Sequence, residues 1–215
     1  MIRIALADDH EIVRSGLKML IESAPDMKVV GEAADGEQAY ELVAREKPDI
    51  LLMDISMPPG QSGLVACGRI TQDHPNTRII VVTMFAEPEY LYFTLQGGAA
   101  GYLLKNSSSE ELVSAIRMVQ GGGTYIHPKM VESLTRQLFS SSGEGEDVSY
   151  KQLTTRELEI LQLLAKGHTN KEISEKIYLS IKTVEAHRSK IYAKLGFKTR
   201  ADLVAYAIRH KLLDL

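Results

Sequence analysis

Five short apolar runs constrain this 215-residue chain more than anything else in it: Ile2–Ala7, Lys28–Ala34, Asp49–Asp54, Arg78–Thr83 and Ala100–Lys105. The middle one, Ile50-Leu51-Leu52-Met53, has no polar alternation, so it reads as a strand buried on both faces, as in a parallel sheet. Stretches of helical periodicity lie between the runs, at His10–Ala24, Gly36–Arg45, Leu64–Asp73 and Pro88–Gln96. A further helix begins at Ser107-Ser108-Ser109-Glu110-Glu111, where serines can cap and carboxylates face the positive end of the dipole, and runs to about Gln120. Five β-α units in series predict a five-stranded, doubly wound parallel sheet with helices on both faces.

The remainder of the chain is different. Pro128–Leu138 reads as one more helix, and Ser140–Asp147, with no apolar residue, reads as a flexible linker. Thr154–Lys166 opens with a Thr-x-x-Glu capping box, Thr154 with Glu157. Asn170–Ile177, a helix from Ser180 to about Leu195 stopped by Gly196, and Arg200–Lys211 follow, with Tyr178-Leu179 as the tight turn. Four short helices with that turn predict an all-α helix-turn-helix unit. The expected divisions are therefore 1–120, a linker helix and flexible linker over 121–150, and 151–215.

Charge separates the same two units. Residues 1–150 carry a balance of −9 and residues 151–215 one of +6, so the net −3 conceals a basic module suited to a polyanion. No apolar run is long enough to span a bilayer, and the N-terminus lacks a signal-peptide layout, so an intracellular, cytoplasmic protein with no membrane partner is expected. A single cysteine, Cys67, excludes an intrachain disulfide and a cysteine metal cluster.

Strands one, three, four and five end in Asp8-Asp9, Asp54, Thr83 and Lys105, and parallel strands bring those ends to one edge. Each residue alone has an ordinary reading: Asp54 or Asp8 as a cap, Thr83 as a strand end, Lys105 as a solvated lysine. All five at one edge fit chemistry better. Three carboxylates repel one another and call for a hard divalent cation, Mg²⁺, which keeps waters for a phosphate. Asp54 is then placed to act as a nucleophile and form an aspartyl-phosphate. Lys105 and the Thr83 hydroxyl can hold phosphoryl oxygens.

Leu6-Ala7-Asp8-Asp9-His10, Asp54-Ile55-Ser56-Met57-Pro58, Val82-Thr83 and Tyr102-Leu103-Leu104-Lys105 together resemble the motif positions of a response-regulator receiver domain, a flavodoxin-like fold. The resemblance implies Asp54 as phosphoacceptor and Mg²⁺ held by Asp9, Asp54 and the Ser56 carbonyl, with Asp8 assisting. It implies Thr83 and Tyr102 as a switch pair, Tyr102 swinging inward when Thr83 moves, and a mobile loop at Met84, Phe85 and Ala86. The stretch Met57-Pro58-Pro59-Gly60-Gln61-Ser62-Gly63 is one residue longer than usual for that family, which bears on kinase access or phosphate lifetime.

Residues 151–215 resemble the LuxR-type helix-turn-helix of the NarL/FixJ class through Leu153-Thr154-Thr155-Arg156-Glu157, Gly167–Ile173 and Ser180–His187. On the helix after the turn, Lys182, Thr183, Glu185, Ala186 and Arg188 are expected to face DNA, with Lys190 and Lys194 nearer phosphates. Glu185 can accept from a cytosine amino group, and Asn170 and Lys171 suit backbone phosphates. Any one of these lysines, taken alone, is better explained by a solvated helix face. The implied protein is a transcription factor rather than an enzyme. It is phosphorylated by a sensor histidine kinase, then forms a homodimer on promoter DNA and acts with RNA polymerase. The whole resembles the NreC-type nitrate and oxygen regulators. The rivals are an Mg²⁺-dependent aspartyl phosphatase, disfavoured because Ser56 stands where a second acid is needed, and a phosphorylation-independent regulator, disfavoured by an intact acidic set.

Overall fold

The structure, a computed structural model, describes residues 1–57, 63–132, 152–210 and 212. The expected linker over 140–147, most of the longer loop after Asp54 and the far part of the 128–138 helix lie outside these. Residues 128–132 are helical.

The strands are β1 (Ile2–Ala7), β2 (Met27–Ala33), β3 (Ile50–Met53), β4 (Arg78–Thr83), β5 (Gly101–Leu104) and β6 (Tyr125–Ile126). They form one all-parallel sheet in the order β2-β1-β3-β4-β5-β6. Six strands replace the five expected. The sixth is only two residues long, too short to give a pattern, and it is fixed by the Tyr125 N–H on the Ala100 carbonyl and the His127 N–H on the Tyr102 carbonyl.

Alternation within each strand divides the core. Ile4, Leu6, Ile50, Leu52, Ile80, Val82 and Leu103 pack on the side of α1 (Glu11–Glu22) and α5 (Ser109–Gln120). Ala5, Ala7, Leu51, Met53, Ile79, Val81 and Tyr102 pack on the side of α2 (Gly36–Glu46), α3 (Gly63–Asp73) and α4 (Pro88–Gln96). Burial on both faces is why these strands read as unbroken apolar runs. Helix α1 is the exception to a clean apolar face: Ile21 is buried, but Ile12 is 88% exposed.

Helix starts follow local chemistry. Asp35 caps α2 by accepting from the Gln38 N–H, and Ser108 with Glu111 forms a capping box on α5. In the second unit the helices are α6 (Thr155–Ala165), α7 (Asn170–Lys176), α8 (Ile181–Leu195) and α9 (Arg200–Arg209). The Thr154/Glu157 box starts α6 as the sequence suggests, and Thr169/Glu172 and Thr199/Asp202 repeat it on α7 and α9. Tyr178 takes a left-handed backbone (φ 52°) in the turn between α7 and α8. Leu158, Leu161, Ile173, Val184, Ile191 and Leu203 fill the centre of this small bundle.

The two units touch. The apolar cluster on the α2, α3 and α4 side of the sheet extends into the helical bundle. The Gln162 Nε2 of α6 donates to the Tyr90 hydroxyl of α4 at 2.7 Å. Beside it, His210 Nδ1 lies 3.3 Å from the Glu89 Oε1, both side chains being almost fully buried. Among the described residues no helix is long and apolar enough to cross a membrane.

Candidate functional site

The carboxyl edge of the sheet gathers the acidic set. The Asp54 N–H donates to the Ala7 carbonyl and the Lys105 N–H to the Thr83 carbonyl, so strand pairing itself aligns the ends of β1, β3, β4 and β5. Asp8, Asp54 and Thr83 are buried. The Lys105 ammonium bridges two carboxylates, 2.6 Å from Asp8 Oδ2 and 2.7 Å from Asp54 Oδ2. The other oxygen of Asp54 accepts from the Ile55 N–H at 2.7 Å and the Ser56 N–H at 3.3 Å. Asp9 lies beside Asp8, its Oδ1 2.8 Å from His10 Nδ1.

Burial pushes the Asp54 carboxyl above the ordinary aspartate range, against the opposing pull of Lys105, and the charge of Asp8 adds to the rise. Burial alone would lower the Lys105 ammonium, but its two carboxylate partners hold it higher than an ordinary lysine. One ammonium thus stands among three carboxylates and pairs with two of them. The site is short of positive charge, and its donors are hard oxygens, as a small divalent cation requires. Ligand atoms of Asp8, Asp9 and His10 lie within 4.8 Å of one another.

Thr83 faces the loop rather than the acids. Its Oγ1 accepts from the Phe85 N–H at 3.3 Å, and among the described residues no hydrogen bond joins it to Asp54 or Lys105. Tyr102 is already inward, fully buried, with its hydroxyl donating to the Phe85 carbonyl at 2.8 Å. Burial raises its phenol far above the usual range. Phe85 in turn stacks on Tyr90, ring centroids 4.2 Å apart. Thr83, Phe85, Tyr90 and Gln162 therefore form an unbroken chain of contacts from the acidic edge to the helical bundle. Sequence reading missed Glu89, Tyr90, Gln162 and His210, because a Pro-Glu-Tyr at a helix start signals exposure until the second unit covers it.

On the second unit, α8 buries Val184 and Ile191 and leaves Lys182, Glu185, Ala186, Arg188 and Lys190 exposed. Thr183 is half-buried, its N–H donating to the capping Ser180 Oγ at 3.0 Å. Lysine 171 is exposed and Asn170 half-buried at the start of α7. Lys194 departs from expectation: its ammonium lies 2.6 Å from the buried Glu157 Oε2, so it ties α8 to α6 instead of standing ready for a phosphate. Burial acts to raise Glu157, but Lys194 and the Thr154 cap outweigh it and hold the carboxyl below the ordinary glutamate range. The pair's stabilisation is therefore complete above that range and lost as pH falls through the folded value. Lys194→Met should cost about 1–2 kcal/mol at neutral pH, discounted because one end is part exposed, with the deficit shrinking in acid. Urea unfolding across pH checks both.

Residues 4–117 match the response regulator receiver domain family, and residues 151–207 match the family of bacterial regulatory proteins, luxR family. The chain is a response regulator of the LuxR family. It is 48% identical over 215 residues to the oxygen regulatory protein NreC of Staphylococcus carnosus, covering 99% of both chains. Its fold resembles that of the Salmonella typhimurium RcsB response regulator, with 28% identity, a TM-score of 0.72 and coverage of 97% and 98%. It also resembles RcsB of Salmonella enterica bound to a promoter in the presence of the phosphomimetic BeF3⁻, with 28% identity, a TM-score of 0.70 and coverage of 95% and 97%. The family places a receiver ahead of a DNA-binding, transcription-regulating unit, and that is the architecture of this chain.

Proposed function

We propose that Asp54 accepts a phosphoryl group from a sensor histidine kinase and that the resulting charge change governs promoter binding. The observation that carries this reading is the Lys105 ammonium bridging Asp8 and Asp54 at the sheet edge. Asp8, Asp9, Asp54 and the Ser56 carbonyl would hold Mg²⁺, which when bound neutralises phosphoryl charge. Asp54 Oδ2 attacks the phosphorus of the donor phosphohistidine, the phosphorus–nitrogen bond breaks, and the electron pair leaves on the imidazole. Oδ1 stays on the Ile55 and Ser56 N–H groups during the attack. Lys105 leaves Asp54 Oδ2 and takes a phosphoryl oxygen while Asp8 keeps it near.

The Thr83 hydroxyl, drawn to the phosphoryl group, gives up the Phe85 N–H. Phe85 then loses one of the two bonds that fix it, and its stack on Tyr90 is disturbed. Tyr90 carries the bond to Gln162, so the helical bundle is released from α4 and free to pair. Phosphate acts by favouring one of two existing arrangements. Lys182, Thr183, Glu185, Ala186 and Arg188 of α8 then face promoter DNA, with Asn170, Lys171 and Lys190 near its backbone, and the bound homodimer acts on RNA polymerase. The protein works in the cytoplasm as a regulator rather than an enzyme. Relatives named for oxygen regulation support a role in oxygen-responsive control of transcription.

The test is a titration of the full chain onto promoter duplex, with and without a small phosphodonor and Mg²⁺. A gain in affinity and dimer fraction supports the reading. Equal binding under all conditions contradicts it.

A further inference from the structure

A cleft of about 390 Å³ opens between the α6–α7 turn, the middle of α8 and the start of α9. Its lining includes His168, Lys171, Arg188 and Arg200, and no aspartate or glutamate. Four basic side chains from four places in the chain converge on one concavity. Elsewhere in this unit two half-buried cations are paired, Arg156 with Glu159 and Lys194 with Glu157, whereas Lys171, Arg188 and Arg200 stand exposed. Among the described residues Lys171, Arg188 and Arg200 have no carboxylate within ion-pair distance. Arg188 rests instead near the face of Tyr192, its Cζ 5.3 Å from the ring centroid, a contact that fixes the guanidinium without discharging it.

Gly167 takes a left-handed backbone (φ 99°), and a Cβ there would stand 3.7 Å from the Arg200 Nη2. That spacing is ordinary contact, so it is the positive φ that calls for glycine at the turn. A second hollow, lined by Asn170, Glu185, Arg188, Ser189 and Tyr192, continues from the first onto the exposed side of α8. Asn170, Arg188 and Tyr192 belong to both. The basic cleft is thus continuous with the surface proposed to enter the major groove, and lies to one side of it.

Two arginines and a lysine with no carboxylate partner among the described residues, around a hollow that Leu164, Tyr192 and Leu203 also line, suit the oxygens of a phosphodiester. We propose that this cleft seats a phosphate of the DNA backbone flanking the groove read by α8, with Arg200 and Arg188 as the principal donors and His168 and Lys171 beside them. This rests on the DNA-binding reading and adds residues to it: Arg200 and His168 lie outside the recognition helix and take part in grip, not in reading bases.

The experiment uses the full chain, a duplex of random sequence, and a duplex selected from a random pool by the wild type. Binding is measured across a salt series for wild type, Arg200→Gln and Lys198→Gln, which removes an equal charge outside the cleft. Matching urea midpoints establish that each variant is folded. Arg200→Gln should weaken both duplexes by the same factor, roughly five- to tenfold, and reduce the slope of log affinity against log salt by about 0.9. Lys198→Gln should change neither by a comparable amount. An unchanged slope with Arg200→Gln, or an equal effect from Lys198→Gln, overturns the cleft. A loss confined to the selected duplex also overturns it, since that marks base reading. Inorganic phosphate, titrated against chloride at equal ionic strength while the arginine Nε resonances are followed, separates a free anion from the backbone. Tight, saturable binding of phosphate alone overturns the backbone assignment. Failure of the wild type to bind either duplex would instead overturn the DNA-binding reading itself.

Discussion

Asp54→Asn should take up no phosphoryl group from a small phosphodonor in the presence of Mg²⁺, and donor should no longer change its affinity for promoter DNA. The amide has no anionic oxygen to attack phosphorus, and no neighbouring carboxylate takes its place, because Asp8 Oδ2 is held on Lys105 at 2.6 Å and is not presented at the end of β3. The wild type should gain between about 5- and 150-fold in affinity on phosphorylation, the span of coupling energies of about 1–3 kcal/mol. The variant should gain nothing. In metal-free buffer the same variant should be the more stable protein at neutral pH. Burial holds the Asp54 carboxyl above its ordinary range, so ionising it costs folding stability as pH rises past that range. The amide avoids that cost, and Lys105 keeps Asp8. The difference between the two proteins should shrink as pH falls below the ordinary aspartate range, where both states of the wild type are protonated. Intact mass for phosphate, a duplex titration for affinity and urea unfolding across pH measure the three parts.

Gly63→Ala should have the largest effect on stability of any single methyl addition in the receiver. A Cβ at Gly63 would stand 1.9 Å from the Asp54 carbonyl oxygen and 2.8 Å from the Ile55 Cα, both backbone atoms with no side-chain freedom to yield. The start of α3 is pinned there by the Gly63 N–H on the Ile55 carbonyl at 3.1 Å. Relief requires α3 to move off the end of β3, which also moves the Ile55 and Ser56 N–H groups that hold Asp54 Oδ1. Overpacking of this kind costs about 3 kcal/mol, or roughly 10 °C in the melting of the receiver. Gly16→Ala is the control. Nothing lies within 4 Å of a Cβ there, and alanine in the middle of α1 should stabilise by about 0.5–1 kcal/mol. Calorimetry of the full chain reads both.

The receiver and its acidic edge were legible because the chain writes them locally. Strands buried on both faces must be apolar, and the residues that end such parallel strands must meet at one edge, so the sequence alone places Asp8, Asp54, Thr83 and Lys105 there. β6 escaped because two residues carry no period. The second unit was legible through its capping box and turn, but its charges were not. Lys194 looks like any groove-facing lysine until Glu157, 37 residues earlier, is folded beneath it. Glu89 looks like an exposed acid on a helix start, and its partner His210 is 121 residues away. Such pairings belong to tertiary packing, which periodicity does not encode. The position of Tyr102, already inward with its hydroxyl on Phe85, also depends on the loop that receives it.

Charge placed on Asp54 should loosen the hold of α4 on the helical bundle through Thr83, Phe85 and Tyr90. Amide hydrogen exchange of the full chain, before and after treatment with phosphodonor and Mg²⁺, measures that hold directly. The expected result is faster exchange in α4, α6 and α9 on phosphorylation, with the sheet unchanged, and no such change in Asp54→Asn. Exchange in those helices that stays the same while intact mass shows Asp54 fully phosphorylated would contradict this coupling.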